Sequence, residues 1–289
     1  NVSLVAPIRA LLPAVPSENV IAEPKPAGTA AALTWAALEI GKRTRNADDA
    51  VMLSVHADWA IGDAQGFRER LTRAADAAVA HKALVTVGVV PSRADPGFGY
   101  IVPGEALDDQ LRKVNRFIEK PGREEAERLV AAGCLWNSGI FVWRTADFLA
   151  EVRSLAPEVS VALADFANDR VGFFGAVKSV SVDVGVLERS QRVVVLPGDF
   201  GWDDVGTWAA LRRVRHLDAD GNASSGPVYA VDSSGNVVHA ADGVNVVLYG
   251  VDDLVVVAQR DLTLVTSIDR AADLKELLSH LPPSVRDRS

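Results

Sequence analysis

Val51-Met52-Leu53-Ser54-Val55 is a short apolar run that passes directly into His56-Ala57-Asp58. A run of this length and composition reads as a buried strand. Residues 63–81 then read as a helix with Phe67, Leu71, Ala74, Ala75 and Ala78 on one face, and 83–90 reads as a second buried strand. This strand–helix–strand alternation predicts an α/β fold with a mostly parallel sheet. The pattern extends both ways. An Ala-rich helix is predicted at 30–40, and a helix at 123–132 that opens on acidic residues and closes at Gly133. Further strands are predicted at 135–143, 179–186 and 193–196.

After about Leu217 the character changes. Asp-Ala-Asp-Gly-Asn, Ser-Ser-Gly and Ala-Asp-Gly punctuate short Val-rich runs at 228–231, 237–239, 244–249 and 254–258. That is turn chemistry between short strands, and it predicts a small β-rich C-terminal domain closed by a helix at about 269–281. The chain therefore divides into a larger α/β domain at 1–216 and a smaller one at 217–289.

The 289 residues carry 48% apolar and 24% charged side chains, the composition of an ordinary globular protein. A formal net charge of −8 argues against a nucleic-acid or membrane surface, and no apolar stretch is long enough to span a bilayer. An anionic small molecule is still admissible, because its site needs only local donors or a metal. The single cysteine, Cys134, excludes an intramolecular disulfide, fits a reducing cytoplasm and reads as packing.

Several stretches could carry chemistry, each with a plainer alternative. Glu23-Pro24-Lys25-Pro26-Ala27-Gly28-Thr29 leads into the Ala-rich helix. Gly28 permits a close approach, Thr29 is a good N-cap, and a helix start offers N–H groups to a phosphate or ribose oxygen. Glu23 could accept the paired N–H donors of guanine. The plain reading is a capped helix after a turn. Asp58, at the carboxyl end of a strand, suits Mg²⁺, which prefers hard oxygen ligands, or it caps the next element. Pro96-Gly97-Phe98-Gly99-Tyr100 is a ligand loop or a simple turn. Glu119-Lys120 pairs an acid with a mobile cation, as a sugar phosphate would need or as an exposed ion pair would show. In Leu135-Trp136-Asn137-Ser138-Gly139-Ile140-Phe141 a polar step interrupts an apolar run, so Asn137 should bond to backbone or to a ligand. Gly201-Trp202-Asp203-Asp204-Val205-Gly206-Thr207-Trp208 puts two carboxylates at a predicted helix start, one to cap it and one for metal.

In this order the motifs resemble the mannose-1-phosphate guanylyltransferases of the sugar-phosphate nucleotidyltransferase family. Val182-Asp183-Val184-Gly185-Val186-Leu187-Glu188 is also similar to that family's Ile-Asp-Tyr-Ala-Val-Met-Glu stretch. The resemblance runs from about Ser17 to Val214. It implies a Rossmann-like nucleotidyltransferase domain with a small β-rich C-terminal domain, transferring GMP from GTP to mannose 1-phosphate to give GDP-mannose and pyrophosphate. It further implies that Asp58 and Asp204 hold Mg²⁺. Glu23, Gly28 and Thr29 would line the nucleotide side, while Gly99, Glu119, Lys120 and Asn137 would hold the sugar phosphate. Asp58, Lys120 and Asp204 would form the catalytic set, and a homodimer stays open. The alternatives are another sugar 1-phosphate or a catalytically silent regulatory paralogue. Glucose 1-phosphate with UTP or dTTP fits less well, since relatives using those bases tend to carry Gln where Glu23 stands.

Three departures stand out. The family's Gly-Gly-x-Gly-x-Arg-Leu-Trp-Pro loop is not in this sequence. Its omission from the sequence given is the expected reason, because a missing first strand would leave the middle of a parallel sheet unpaired. His56-Ala57-Asp58-Trp59 stands where the family has Pro-Ala-Asp-His, and the Gly-Arg-Asn or Gly-Arg-Asp that often precedes the family's Thr is not found before Thr29.

Overall fold

The computed structural model describes residues 2–46, 49–271 and 274–286. It falls into two compact units, 1–56 with 63–200 and 57–62 with 201–289. The sequence places the boundary at 216/217; the packing places it at 200/201 and adds the loop 57–62 to the second unit, because that loop pairs with residues just past 200.

In the first unit, α1 (Val5–Leu11) precedes α2 (Gly28–Arg43), and then come β1 (Val51–Ser54), α3 (Ala64–His81) and β3 (Leu84–Val89), with the two-residue β2 (Ala60–Ile61) lying between β1 and α3 in sequence. There follow β4 (Tyr100–Ala106), β5 (Arg112–Ile118), α4 (Arg123–Ala131), β6 (Leu135–Arg144), α5 (Thr145–Leu155), α6 (Pro157–Phe166), α7 (Arg170–Ala176) and β7 (Val193–Gly198). Asp63 caps α3, accepting from the backbone N–H groups of Gln65 and Gly66. Every residue of β3 is buried, as its largely apolar run predicts, Thr86 included.

The sheet order is β1-β6-β3-β7-β5-β4. Of its pairings only β3–β7 is parallel, which corrects the mostly parallel sheet to a mixed one. Strand–helix alternation implies parallel pairing only when each helix crosses over to a neighbour. Here β4 and β5 form a hairpin, and β6 inserts antiparallel beside β3. In the middle of the sheet β3 pairs on both sides, antiparallel with β6 and parallel with β7. The main core cluster stacks the Trp143 ring in nearly parallel planes on Phe141 at 5.6 Å and on Phe148 at 4.3 Å. Trp35 of α2 meets Phe173 at 5.4 Å. Cys134 is 3% exposed, and burial pushes its thiol pKa up, as packing requires.

The predicted strand at 179–186 is not a strand. Residues Asp183–Leu187 form a π-helical turn in which the Glu188 N–H donates to the Asp183 carbonyl at 2.8 Å. Val182, Gly185, Val186 and Leu187 are the buried positions, a helical spacing that the β-branched composition obscured.

The second unit contains β2, β8 (Trp202–Asp203), α8 (Leu211–Val214), β9 (Ala223–Ser225), β10 (Val228–Val231), β11 (Val237–Ala240), β12 (Val246–Tyr249), β13 (Leu254–Ala258) and β14 (Thr263–Ser267). Strands β9, β11 and β13 pair in parallel, as do β10 and β12. Successive turns of chain thus stack on one another, with Val238, Ala240, Val246, Leu248, Val256 and Ala258 inward. Buried Asn236 joins the layers. It donates to Asn222 Oδ1 and the Val251 carbonyl, both at 3.0 Å, and accepts from the Leu254 N–H at 2.9 Å. The terminal helix is shorter than predicted: a 3₁₀ turn at Ile268–Arg270 precedes α9 (Leu274–His280), and 272–273 lie outside the described residues.

Candidate functional site

The start of α2 is built by contact with a distant piece of the same unit. Gly28 has φ of 81°, and a Cβ there would lie 2.3 Å from the Val180 carbonyl oxygen. The Ala30 N–H donates to that same carbonyl at 3.2 Å. The close approach that Gly28 permits is therefore made by residue 180 of the chain, and one helix-start donor is already engaged. Thr29 does not cap the helix; Ala27 occupies that position without a side-chain bond. The Thr29 hydroxyl instead accepts from the Val182 N–H at 2.8 Å. Half-buried Glu23 has no hydrogen-bond or ion-pair partner among the described residues.

The residues predicted for a sugar phosphate cluster around Gly99. A Cβ at Gly99 would meet Glu119 Oε2 at 2.8 Å and Asn137 Cβ at 3.5 Å, so the glycine lies against both side chains. The Asn137 N–H donates to the Gly99 carbonyl at 2.8 Å. Lys120 pairs with Glu119 at 3.0 Å, both side chains being 65% exposed. Lys120 also holds φ of 44°, a left-handed conformation uncommon for a side chain of its size.

The Asn-Ser-Gly step is a β-bulge. Val87 faces Ile140 but Gly88 faces Asn137, so Ser138 and Gly139 are extra residues in β6. Ser138 donates to the Val87 carbonyl and accepts from the Ile140 N–H, which satisfies its buried hydroxyl. The bulge re-aims Asn137, whose Nδ2 donates to Asp183 Oδ1 at 2.8 Å. Alongside, Arg93 braces the loop before β4. Its guanidinium lies 5.4 Å from the Phe98 ring and 5.0 Å from the Trp136 ring, and pairs with Asp95 at 2.8 Å. Tyr100 closes the loop by donating its hydroxyl to the Asp95 carbonyl at 3.1 Å.

In the second unit β2 and β8 form an antiparallel ribbon with Ala60 opposite Asp203 and Ile61 opposite Trp202. Asp58 lies two residues before Ala60, and Asp204 directly follows Asp203, so both carboxylates flank the ribbon in sequence. Trp59 meets Trp202 edge-on at 5.9 Å. The two adjacent carboxylates differ. Asp203 is 7% exposed and bonded to Arg213 at 2.6 and 3.0 Å, while half-buried Asp204 accepts from the Gly206 N–H at 3.3 Å. Neither caps a helix, contrary to expectation. Thr207 does, accepting from the Ala210 N–H at 3.2 Å. Val205, between Asp204 and Gly206, has φ of 50°, an outlier for a β-branched residue.

Gly99, Glu119, Lys120 and Asn137 thus come together in the first unit, and Asp58 and Asp204 both belong to the second. Two residues were not singled out from the motifs. Asp183 reaches Asn137 from far along the chain, and Arg93 holds the loop; only the Asp-containing stretch at 182–188 carried any signal. Among the described residues no three His, Cys, Asp or Glu side chains are grouped to hold a metal unaided, and no helix is long and apolar enough to cross a membrane.

Comparison with known proteins agrees with this architecture. Residues 10–221 match the model of the Nucleotidyl transferase family, and 226–281 match the MannoseP isomerase/GMP-like beta-helix domain. The chain is 36% identical over 284 residues to a mannose-1-phosphate guanylyltransferase of Klebsiella pneumoniae, covering 93% of this chain and 59% of that protein. It is 34% identical over 281 residues to the xanthan biosynthesis protein XanB of Xanthomonas campestris pv. campestris, covering 93% and 58%. The chain thus spans less than two thirds of the length of these relatives. A crystal structure described as mannose-1-phosphate geranyltransferase from Thermus thermophilus is 30% identical with a TM-score of 0.81, covering 96% of this chain and 88% of that one. On the match that spans most of the first unit, with a parallel-stranded coil following it in sequence, this chain belongs to the nucleotidyl transferase family.

Proposed function

We propose that the chain transfers GMP from GTP to mannose 1-phosphate, forming GDP-mannose and pyrophosphate in the cytoplasm. An oxygen of the sugar phosphate attacks the α-phosphorus of GTP, the α–β phosphoanhydride bond breaks, and pyrophosphate leaves in line. The attacking phosphate is already a nucleophile, so no covalent enzyme intermediate is needed, and catalysis is alignment and charge neutralisation.

The observation that carries this reading is the cluster of Gly99, Glu119, Lys120 and Asn137. It offers hydroxyl acceptors, an amide and a cation within one small region. Glu119 and Asn137 suit the hydroxyls of a sugar, and Lys120 suits its phosphate. Unpartnered Glu23 suits the N1–H and N2–H₂ edge of guanine. Asp58 and Asp204 fit Mg²⁺, a cation held by one or two protein carboxylates and completed by substrate phosphates. Bound there, Mg²⁺ would supply neutralisation of triphosphate charge. The left-handed backbone at Lys120 and Val205 is the kind of local strain that concentrates at working sites.

The test is pyrophosphate release by the full-length native protein with Mg²⁺, each nucleoside triphosphate, and mannose or glucose 1-phosphate. Release confined to GTP with mannose 1-phosphate supports the reading. Release with another pair reassigns the substrate, and a folded protein that releases none is a silent binding subunit.

A further inference from the structure

Asp183 sits 46 residues from Asn137 in sequence, yet its Oδ1 accepts from Asn137 Nδ2 at 2.8 Å. We infer that Asp183 is the positioning residue of the sugar-phosphate subsite, locking the Asn137 carboxamide in one orientation; this rests on the reading of that subsite given above.

The chemistry of the pair dictates the lock. A carboxylate only accepts, so the amide can face it with Nδ2 but not with Oδ1. The Asn137 Oδ1 in turn accepts weakly from the Gly139 N–H at 3.3 Å. One Nδ2–H and one oxygen lone pair are left over, the donor and acceptor that a sugar hydroxyl complements. Without Asp183 the two ends of the amide become nearly equivalent, and a flipped amide offers a hydroxyl the wrong partner at each position.

Both members of the pair are held rigidly. The Asn137 backbone is tied to the Gly99 carbonyl at 2.8 Å and displaced by the β6 bulge. Asp183 opens the π-helical turn. Its carbonyl accepts from Glu188, and the neighbouring Val182, fully buried, donates its N–H to the Thr29 hydroxyl at 2.8 Å. Single π-turns inside folded proteins occur often at functional sites. The segment 180–183 therefore touches the start of α2 at one end and Asn137 at the other. Glu119 Oε2 also approaches Gly99, but of the two carboxylates only Asp183 is bonded to the amide.

The test compares wild type, Asp183→Ala, Asp183→Asn, Asn137→Ala and the Asn137→Ala/Asp183→Ala double variant in steady-state pyrophosphate release. The sugar phosphate used is whichever one the wild type turns over. Asp183→Ala is expected to raise KM for that sugar phosphate about tenfold, with kcat within about threefold and KM for the nucleotide unchanged. Asp183→Asn, which keeps an acceptor oxygen in place, should recover part of the loss. In the Asn137→Ala background, Asp183→Ala should have no further effect, as residues acting through one another show in a double-mutant cycle. Additive effects in the cycle, an unchanged sugar-phosphate KM, or equal changes in both KM values would overturn the inference alone. A wild type that turns over no sugar phosphate would overturn the inference together with the functional reading.

Discussion

Asp203 turns its carboxylate into Arg213 and is almost fully buried, whereas the carboxylate of half-buried Asp204, the next residue, accepts from the Gly206 N–H at 3.3 Å. The sequence treats them as a pair of acids at a helix start and divides the roles of cap and metal ligand between them. The structure gives the capping role to Thr207 and ties Asp203 into an ion pair, which leaves Asp204, with Asp58, as the proposed metal ligand. Their substitutions should therefore behave oppositely. Asp204→Asn is expected to lower turnover about a thousandfold, equivalent to losing about 4 kcal/mol of transition-state stabilisation, while its thermal midpoint stays within about 2 °C of wild type. Asp203→Asn leaves a half-exposed Arg213 with a weaker acceptor and should destabilise by about 1–3 kcal/mol in urea unfolding. If Asp204→Asn unfolds more easily while retaining turnover, the metal role is wrong. Thr29 teaches the same lesson: its residue type is right for a cap, but its hydroxyl serves the backbone of Val182.

Elements of the first unit are joined at their ends by charge. Asp147, near the start of α5, is bonded to Arg144 at the end of β6 and to Arg192 just before β7. Burial alone would raise the Asp147 carboxyl pKa, but the bonds and charges of Arg144 and Arg192 outweigh it and hold the group below the ordinary carboxylate range. Glu158 on α6 is lowered to about 2, first by the Arg189 side-chain bonds at 2.9 and 3.0 Å. A carboxyl whose folded pKa is depressed binds protons more readily when unfolded. Its contribution is complete above the unfolded value, about 4, and is lost as pH falls toward the folded value. Thermal midpoints measured from pH 7 down should stay level to about pH 5 and fall below about pH 4. The fall should be shallower in Asp147→Asn and Glu158→Gln, and an unchanged slope in both would show that these links do not set acid stability. Of the elements themselves, the buried strand β3 and the helix α3 follow directly from their sequence, whereas β1 forms where a buried run is predicted but buries only Met52, with Leu53 and Val55 exposed. The stretch 179–186 does not follow from its sequence, because its Val-rich composition and its helical spacing of buried positions point to different structures.

Across the whole molecule, a chain with a net charge of −8 is proposed to bind two polyanionic substrates, so local cations and a metal must offset the repulsion. Chelation of divalent cations should therefore abolish pyrophosphate release, with recovery on adding Mg²⁺, and should leave the melting curve almost unmoved, since no group of three metal ligands is built into the described residues. A chelator that also unfolds the protein would indicate a structural metal instead. The sequence by itself determined the α/β character of the first unit, the turn-rich β character of the second, and the residue types that make up the candidate site. Those properties depend on side chains within a few positions of one another. Only the tertiary structure decided that the main sheet is mixed, that the second unit stacks its strands in parallel, and that Asp183 faces Asn137. It alone brought the backbone of Val182 to Thr29, 153 residues away. Contacts of that reach depend on which strand lies beside which, and in which direction, and that choice is made by burial of the whole chain at once rather than by any local stretch of it.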